Sequence, residues 1–232
     1  MRRWRALLIV YRELNVRLPS GRWRKQHVHH VATDREVGDA VTSFSGFPRL
    51  AAELTSNAAQ VEPAVVQANR PLSSLTREGD LSFWPSPDDT RLELDQLAPH
   101  GSYESIFVFW PGKDFAKGTF VPCRGWGLGM GASDWTNGAT YAVVSSAPSS
   151  AWRGEALGEV WLHEWLHGVC HHFSSQGYAM PARDADGGDL HGYVRSPDAG
   201  WTEYYRDLMS GNVSEEGARR GIPRTAWERG LT

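Results

Sequence analysis

Runs of apolar residues along the chain predict a set of β-strands. Residues 6–11 form a short continuous apolar run, the pattern of a buried strand, and residues 13–18 continue it with alternating apolar and polar positions. Further strands are predicted at residues 61–67, 105–110 and 139–144. The run at 105–110 is the clearest of these, because a Pro-Gly pair stops it at once. These segments predict a sheet with a buried central strand.

Helical patterns are predicted in three places. Residues 48–60 begin with a proline, which suits the first turn of a helix. Residues 155–173 contain no proline and are apolar around most of the helix circumference, which predicts a largely buried helix. Residues 200–210 carry an apolar stripe with helical spacing, and the polar tail from Asn212 is expected to wrap the surface. Together the patterns predict an α+β fold with a mixed, twisted sheet.

Composition narrows the class of protein. At 232 residues, 41% of them hydrophobic and 22% charged, the chain suits one domain spanning residues 1–232, built as two lobes that share a cleft. The net charge of −3 gives no electrostatic reason to expect binding to nucleic acid or to membranes. No apolar run approaches the roughly 18 residues of a membrane-spanning helix. We expect a monomer, and the lack of an evident secretory signal favours the cytoplasm.

The chain has two cysteines, Cys123 and Cys170. Two are too few for a disulfide framework, so either one disulfide or two buried thiols would account for them. Buried thiols are the favoured interpretation, because free cysteine behaves as a small apolar side chain.

Residues 163–167 read H-E-W-L-H, which is the H-E-x-x-H pattern of zinc hydrolases. On a helix, His163 and His167 project from one face about 6 Å apart, so both imidazoles can reach one Zn²⁺. Glu164 is rotated away from that pair, in a position to take a proton from a water molecule on the metal. Because the surrounding helix is predicted to be buried, unpaired histidine and glutamate side chains would be costly there, and a metal removes that cost.

With this motif placed after a series of strands, the chain resembles the zincin metallopeptidases. The resemblance implies an upper lobe at residues 1–173 that contains the sheet and the H-E-x-x-H helix. It also implies a smaller, mostly helical or irregular lower lobe at residues 174–232. In zincins the strand that borders the cleft pairs with extended substrate, and residues 140–144 occupy the matching place in chain order.

One group of zincins, the metzincins, extends the motif to H-E-x-x-H-x-x-G-x-x-H, with a third histidine ligand. This chain has Cys170 and Phe173 at the last two of these positions, so it departs from that pattern. However, the segment from Asp207 to Ser210 resembles the Met-turn that lies beneath the metal in metzincins, and Met209 lies downstream as expected. A methionine after a helix is also an ordinary core residue.

The third zinc ligand has four candidates. His171 and His172 continue the motif helix, but a straight helix places His171 about 12 Å from His163, too far for one tetrahedral zinc. Glu203 would make the chain similar to the gluzincins, yet it lies opposite the apolar stripe of its own helix. His191 lies between glycines that let the chain turn back beneath the motif helix, where it would complete a His₃ site. We favour His191.

Three further patterns have other interpretations. Asp184, Asp186 and Asp189 follow the spacing D-x-D-G-G-D, which favours hydration or weak calcium binding over a role at zinc. The glycine-rich residues 125–131 open no helix, so a dinucleotide site is disfavoured, and the glycines instead indicate close approach to a ligand or a neighbouring backbone. Histidines within residues 27–30 are typical of a solvated loop or strand end.

These observations predict a zinc-dependent metallopeptidase that acts on peptide or protein substrates with Glu164 as general base. A phenol from Tyr193, Tyr204 or Tyr205 would donate to the oxyanion, although the helix stripe assigns the latter two to the core. Three alternatives stay open. They are a non-enzymatic carbohydrate- or protein-binding domain built on the eleven tryptophans, a hydrolase of non-peptide amides, and an inactive protein of the zincin fold.

Overall fold

A five-stranded mixed sheet lies at the centre of the protein, in a computed structural model that describes residues 3–20, 24–79, 82–153 and 156–229. The strands are β1 (Trp4–Val10), β2 (Glu13–Ser20), β3 (Arg24–Val31), β4 (Val61–Gln67), β5 (Thr76–Glu78), β6 (Ser82–Trp84), β7 (Ser105–Trp110), β8 (Lys113–Asp114), β9 (Thr119–Phe120), β10 (Gly127–Met130), β11 (Thr140–Ser145), β12 (Val213–Glu215) and β13 (Ala218–Arg220). The helices are α1 (Asp34–Leu54), α2 (Arg91–Leu97), α3 (Ser149–Arg153), α4 (Glu159–Ser175), α5 (Thr202–Leu208) and α6 (Arg224–Arg229), with 3₁₀ turns at Asp134–Thr136 and Asp184–Asp186.

The strands of the central sheet follow the order β10-β11-β7-β1-β4. Strand β1 pairs in parallel with β4 and β7, and β7 pairs in parallel with β11, whereas β10 runs antiparallel to β11. Strand β7 lies in the middle and all six of its residues are buried. A strand covered on both faces is apolar almost throughout, which explains its continuous apolar run. The α+β class and the mixed sheet are confirmed.

One face of the sheet packs against α1 and α4 through aromatic side chains. Phe44 and Phe47 of α1 lie 5.1 and 5.3 Å from Phe107 of β7, measured between ring centroids. Trp161 of α4 lies 5.3 Å from Phe44. Trp165 of the same helix lies 5.1 Å from Phe47. All five rings are buried, so the motif helix is fixed to the sheet by some of the largest side chains of the core.

The other face of the sheet buries a second apolar cluster that includes Tyr11 and Tyr141. The Tyr11 hydroxyl donates to Glu93 of α2, and Arg70 donates to both oxygens of the same carboxylate at 2.8 and 2.7 Å. The hydroxyls of Tyr141 and Thr90 are hydrogen-bonded at 2.9 Å. Since each of these polar groups has a partner, this face of the sheet is stabilised by its own network.

Most of the predicted elements are found. The strands predicted at 6–11, 61–67, 105–110 and 139–144 correspond to β1, β4, β7 and β11. Residues 13–18 do not extend the central sheet but pair with β3 in a separate hairpin. The two later helices correspond to α4 and α5, although residue 155, the expected start of the first of them, lies outside the described residues.

Helix α1 begins earlier than its apolar pattern suggested. The hydroxyl of Thr33 accepts a hydrogen bond from the amide of Glu36, while the Glu36 carboxylate accepts one from the amide of Thr33. This capping box satisfies two amides that the first turn leaves unpaired. The prediction of a helix start at Pro48 is therefore wrong, and Pro48 lies inside the helix.

The segment after Asn212 contributes to the core instead of wrapping the surface. It forms the β12–β13 hairpin and helix α6, and the α6 residue Trp227 is buried. The Trp227 indole stacks on Trp165 at 5.7 Å and donates to the carbonyl oxygen of Met209 at 2.8 Å. Met209, the Met-turn candidate, is itself a buried core residue. Val213 and Ile222 of this segment are buried as well, so the prediction that the tail wraps the surface is wrong.

No helix in the described part of the chain is both long enough and apolar enough to cross a bilayer. Cys123 and Cys170 are free thiols, which excludes the single disulfide. Cys170 is buried within α4 and Cys123 is half-buried, and burial raises the pKa of both thiols. The interpretation as buried thiols therefore holds fully for Cys170 and in part for Cys123.

Replacing Phe47 by alanine should destabilise the protein by about 3–5 kcal/mol, because it leaves a cavity between α1, β7 and α4. Urea unfolding followed by tryptophan fluorescence measures this change. Phe120→Ala is the matched control, since Phe120 is 47% exposed, and it should change the unfolding free energy by about 0.5 kcal/mol or less. Equal losses from the two substitutions would contradict the described packing.

Candidate metal centre

Helix α4 carries the H-E-x-x-H motif and packs tightly against α1 at its start. It begins after Gly158, whose φ of 95° lies in the left-handed region that glycine tolerates. A Cβ atom on Gly158 would lie 2.4 Å from the backbone nitrogen of Phe47. The turn and the close packing both require glycine, and together they fix the position of α4 relative to α1.

His163 and His167 lie one helical turn apart on the face of α4 that borders a cleft. Their ring centroids are 4.9 Å apart and their planes are nearly perpendicular, at 86°. Asp186, from the 3₁₀ turn that follows α4, completes the group. Its two carboxylate oxygens lie 3.4 Å from Nε2 of His163 and 3.9 Å from Nε2 of His167. The ligand atoms of all three residues lie within 4.8 Å of one another.

Two imidazoles and one carboxylate form a donor set that zinc accepts. Zinc binds nitrogen and oxygen ligands at about 2.0–2.2 Å, so the ligand atoms of a tetrahedral site lie roughly 3–4 Å apart. The separations of 3.4 and 3.9 Å between Asp186 and the two imidazoles fall in this range. Within the residues that the structure describes, this is the one group of three or more ligand side chains close enough to share an ion.

Each histidine is held through its other ring nitrogen. Nδ1 of His167 lies 2.6 Å from a carboxylate oxygen of Asp184, and Nδ1 of His163 lies 2.7 Å from the hydroxyl of Tyr205 in α5. Partners on Nδ1 fix the ring orientation and leave Nε2 as the coordinating atom. The 3₁₀ turn therefore supplies both a candidate ligand, Asp186, and the residue that orients His167.

Burial and neighbouring charges set the protonation of the two histidines. Burial, with a further contribution from His167, lowers the pKa of His163 to about 4. His163 is therefore neutral at pH 7 and keeps a lone pair for a metal. Burial disfavours the charged form of His167 as well, but the hydrogen bond to Asp184 and the nearby carboxylates outweigh it and raise the pKa. A metal ion must compete with a proton for His167, so affinity should fall in acid.

Glu164 is buried beside the ligand pair, with one carboxylate oxygen 3.9 Å from Nε2 of His163. Burial raises the pKa of the Glu164 carboxyl to about 8, against the opposing influence of His167 and with a further contribution from Asp186. A carboxyl with a pKa near neutrality can both accept a proton and give it back during one reaction. The buried position of Glu164 is therefore sufficient to bring the pKa of its carboxyl close to neutrality.

Alternating glycines allow β10 to lie directly on α4. A Cβ atom on Gly127 would lie 2.4 Å from the Glu164 side chain, and one on Gly129 would lie 2.1 Å from the Glu164 carbonyl oxygen. Beyond the strand, a Cβ atom on Gly131 would lie 2.1 Å from Nδ1 of His171. The interpretation that these glycines permit close approach to a neighbouring backbone is confirmed.

Strand β10 forms the edge of the central sheet on the side of the cleft. It pairs with β11 on one side and lines the cleft with Gly127, Leu128 and Gly129. Because β11 lies between β7 and β10, the prediction of residues 140–144 as the edge strand is wrong. Chain order did not reveal that the glycine-rich segment adds an antiparallel strand outside β11.

A cleft of about 670 Å³ opens over the three ligands. Strand β10 and Trp126 line this cleft together with Trp201 and Tyr205. This volume lies in the range of pockets that bind small molecules or a few residues of a peptide. The ligands, Glu164 and a free strand edge therefore share one accessible space.

The structure brings His163, Glu164 and His167 together but leaves His191 outside the ligand group. Nε2 of His191 lies 3.2 Å from the carbonyl oxygen of Ala182, and the ring stacks on Tyr204 at 6.2 Å. The loop does return to α4, but the part that contacts the helix is the 3₁₀ turn at Asp184–Asp186. The turn presents Asp186 to the two histidines, so the expected His₃ set is not assembled.

The other candidate ligands also lie apart from this group. His171 and Glu203 are exposed, in agreement with the helix-length and helix-face arguments. His172 is half-buried, with its ring 6.5 Å from Trp4. On β3, His27 and His29 are exposed and contact side chains of β2. None of these histidines belongs to a ligand group among the described residues.

The three tyrosines considered as oxyanion donors all have other partners. The Tyr193 hydroxyl donates to Asp207 at 2.5 Å, and the Tyr204 hydroxyl donates to the carbonyl oxygen of Asp184. The Tyr205 hydroxyl is hydrogen-bonded to His163. Tyr204 and Tyr205 are buried, as their helix stripe predicted.

Sequence reasoning missed Asp186 as a candidate ligand. Its carboxylate was grouped with Asp184 and Asp189 as a hydrated or calcium-binding cluster, although carboxylates are also accepted zinc ligands. The three side chains have different roles: Asp184 orients His167, Asp186 joins the ligands, and Asp189 is exposed. Spacing alone does not separate these roles, because they depend on the path of the loop.

No protein-family model matches the chain, and a search of curated proteins finds no significant match. The geometry of the site is therefore the basis for assigning a function.

Asp186→Asn should weaken zinc binding by about 100-fold or more, because a neutral amide replaces an anionic ligand. Competition with a chromogenic chelator measures the affinity. Asp189→Asn is the matched control, an exposed aspartate in the same loop, and it should bind zinc like the parent protein. His191→Ala should also keep its zinc. Loss of zinc in His191→Ala with retention in Asp186→Asn would instead assign the third ligand to His191.

Proposed function

We propose that this protein is a zinc-dependent metallopeptidase. The observation that carries the proposal is the group of His163, His167 and Asp186, with Glu164 buried beside it, in a cleft bordered by a strand edge. Each part has a use in peptide hydrolysis: a metal site, a proton carrier, and a backbone edge for an extended chain. A purely structural metal site would need neither the buried Glu164 nor the open cleft.

His163, His167 and Asp186 would hold the zinc ion, with Tyr205 and Asp184 orienting the two imidazoles. Bound zinc supplies Lewis-acid chemistry, which makes water nucleophilic near neutral pH and polarises a substrate carbonyl. Three protein ligands are typical of catalytic zinc, whereas structural zinc has four. The number of ligands therefore supports a catalytic site.

Glu164 moves the proton in this mechanism. Its carboxylate accepts a proton from the attacking water, and the resulting acid donates that proton to the amine that leaves. Burial beneath β10 limits exchange of this proton with bulk water. The raised pKa of Glu164 makes its protonated form accessible near neutral pH, as the second half of the reaction requires.

Strand β10 supports peptides as the substrate class. An edge strand leaves its outward amide and carbonyl groups unpaired, and these can pair with an extended peptide. The same edge lies next to Glu164, so a peptide bound along it would pass close to the reacting groups. We infer a zincin-like arrangement, with the sheet and α4 on one side of the cleft and the segment from Asp186 to α5 on the other.

The alternative of a tryptophan-rich binding platform has less support. Most of the described tryptophans are buried in the core, namely Trp4, Trp84, Trp110, Trp152, Trp161, Trp165 and Trp227. Trp126 and Trp135 are exposed, at 40% and 43%. The high tryptophan content is explained by core packing, which removes the main argument for a non-enzymatic platform.

Glu164→Gln should keep stoichiometric zinc but lower the rate of peptide cleavage by about 100- to 10,000-fold, because glutamine cannot carry the proton. Zinc content is measured by elemental analysis, and cleavage by mass spectrometry of a broad peptide library. Glu203→Gln is the matched control, since Glu203 is an exposed glutamate in α5.

Two controls separate the alternatives. A chelator should abolish cleavage, and zinc should restore it. Normal cleavage by Glu164→Gln would show that the proposed mechanism is wrong. Stoichiometric zinc without cleavage of any peptide in the library would leave a hydrolase of other amides or an inactive protein, and would reject the peptidase.

A further inference from the structure

A second buried carboxylate, that of Glu159, lines the cleft. Glu159 begins α4 one turn before His163 and is 4% exposed. Residues four apart on a helix share a face, so Glu159, His163 and His167 form one row along the cleft. The metal ligands and Glu164 account for the chemistry of the site, but they leave Glu159 without a role.

A backbone segment encloses the Glu159 carboxylate. One oxygen accepts a hydrogen bond from the amide of Trp201 at 2.7 Å. Gly200 passes so close that a Cβ atom there would lie 2.1 Å from a carboxylate oxygen. Among the described side chains, no lysine, arginine or histidine forms an ion pair with Glu159. A buried carboxylate with a single amide partner is energetically costly and gains strongly from a cation.

Several residues that line the same cleft as Glu159 are apolar. They are Val144, Ala147, Ala151 and Val160, the last of them next to Glu159 in the chain, together with the half-buried Trp201, whose amide donates to Glu159. Lysine and arginine combine an apolar stem with a charged end, so they match a pocket that has apolar walls and a carboxylate. The two arginines that line the cleft, Arg124 and Arg195, are exposed to solvent, which weakens their effect on a buried carboxylate.

We propose that Glu159 is a specificity residue that binds the lysine or arginine side chain of a substrate next to the cleaved bond. This inference rests on the proposed peptidase function, because it assigns the substrate class of the same cleft. The position of Glu159 one turn from His163 puts the pocket beside the reacting groups and not at a remote surface. The protein therefore cleaves peptides at basic residues.

A structural role predicts a different outcome for the same substitution. The Glu159 carboxylate also joins α4 to the segment before α5 through the amide of Trp201. Glu159→Gln keeps an oxygen that can accept this hydrogen bond and removes only the charge. If the Glu159 carboxylate only joins the two segments, Glu159→Gln should keep that contact and leave the choice of substrate unchanged. If the carboxylate binds a cation, Glu159→Gln should lose the preference for basic side chains.

The test compares two blocked peptides that differ only in one residue, lysine or norleucine, next to the cleaved bond. Binding is measured by calorimetry on zinc-loaded Glu164→Gln, which should not turn the peptides over. The lysine peptide should bind roughly tenfold or more tightly than the norleucine peptide. Glu159→Gln in the same background should abolish that difference, and Glu203→Gln should preserve it.

Cleavage rates of the parent protein complete the test. The ratio of kcat/KM for the lysine peptide over the norleucine peptide should fall roughly tenfold or more in Glu159→Gln. Equal binding of the two peptides, or an equal loss for both in Glu159→Gln, would overturn the proposed pocket. Selective binding of lysine without cleavage of either peptide would reject the peptidase but keep the pocket, so the two failures are distinguishable.

Discussion

The contact between β10 and α4, made without intervening side chains, is the constraint on which the candidate site depends. At Gly127 and Gly129, a single added carbon would come within 2.1–2.4 Å of atoms of Glu164. The strand therefore shields this carboxyl from water, which raises its pKa. The same contact sets the distance between the edge of the sheet and the candidate metal ligands. One packing feature thus determines both the proton affinity of Glu164 and the position of the strand edge to which the proposed function assigns peptide binding.

Helix α4 is unusual in being buried on its polar face as well as its apolar one. Trp161 and Trp165 pack on the sheet side, which is ordinary core formation. On the opposite side, His163 is held by Tyr205, while the amide of Trp201 holds Glu159. Because buried polar groups need partners, the segment after α4 must return to the helix to supply them. The contacts that hold this segment against α4 are therefore also the contacts that orient His163 and enclose Glu159.

Local patterns were sufficient to predict β1, β4, β7, β11 and α4, and with them His163, Glu164 and His167. These features depend on periodicity and on spacing within one helix. The position of Asp186 beside the two histidines depends on the path of an irregular loop in which Gly177 and Arg183 adopt left-handed φ values of 90° and 63°. Apolar periodicity gives no information about such turns, so it did not favour Asp186 over His191. Strand β10 was not predicted for a related reason, because glycines at the positions that pack on α4 give no apolar pattern in the sequence.

Under the proposed function, the two buried glutamates of α4 separate reaction from recognition on one helix. Glu164 faces β10 and the imidazole of His163, where proton transfer is useful. Glu159 lies one turn earlier on the helix, against Gly200 and the amide of Trp201. An apolar side chain in that part of the cleft would displace water from the Glu159 carboxylate without donating a hydrogen bond to it. Leaving a buried acceptor without a hydrogen bond costs free energy. Selectivity would then arise from rejection of neutral residues as much as from attraction of basic ones.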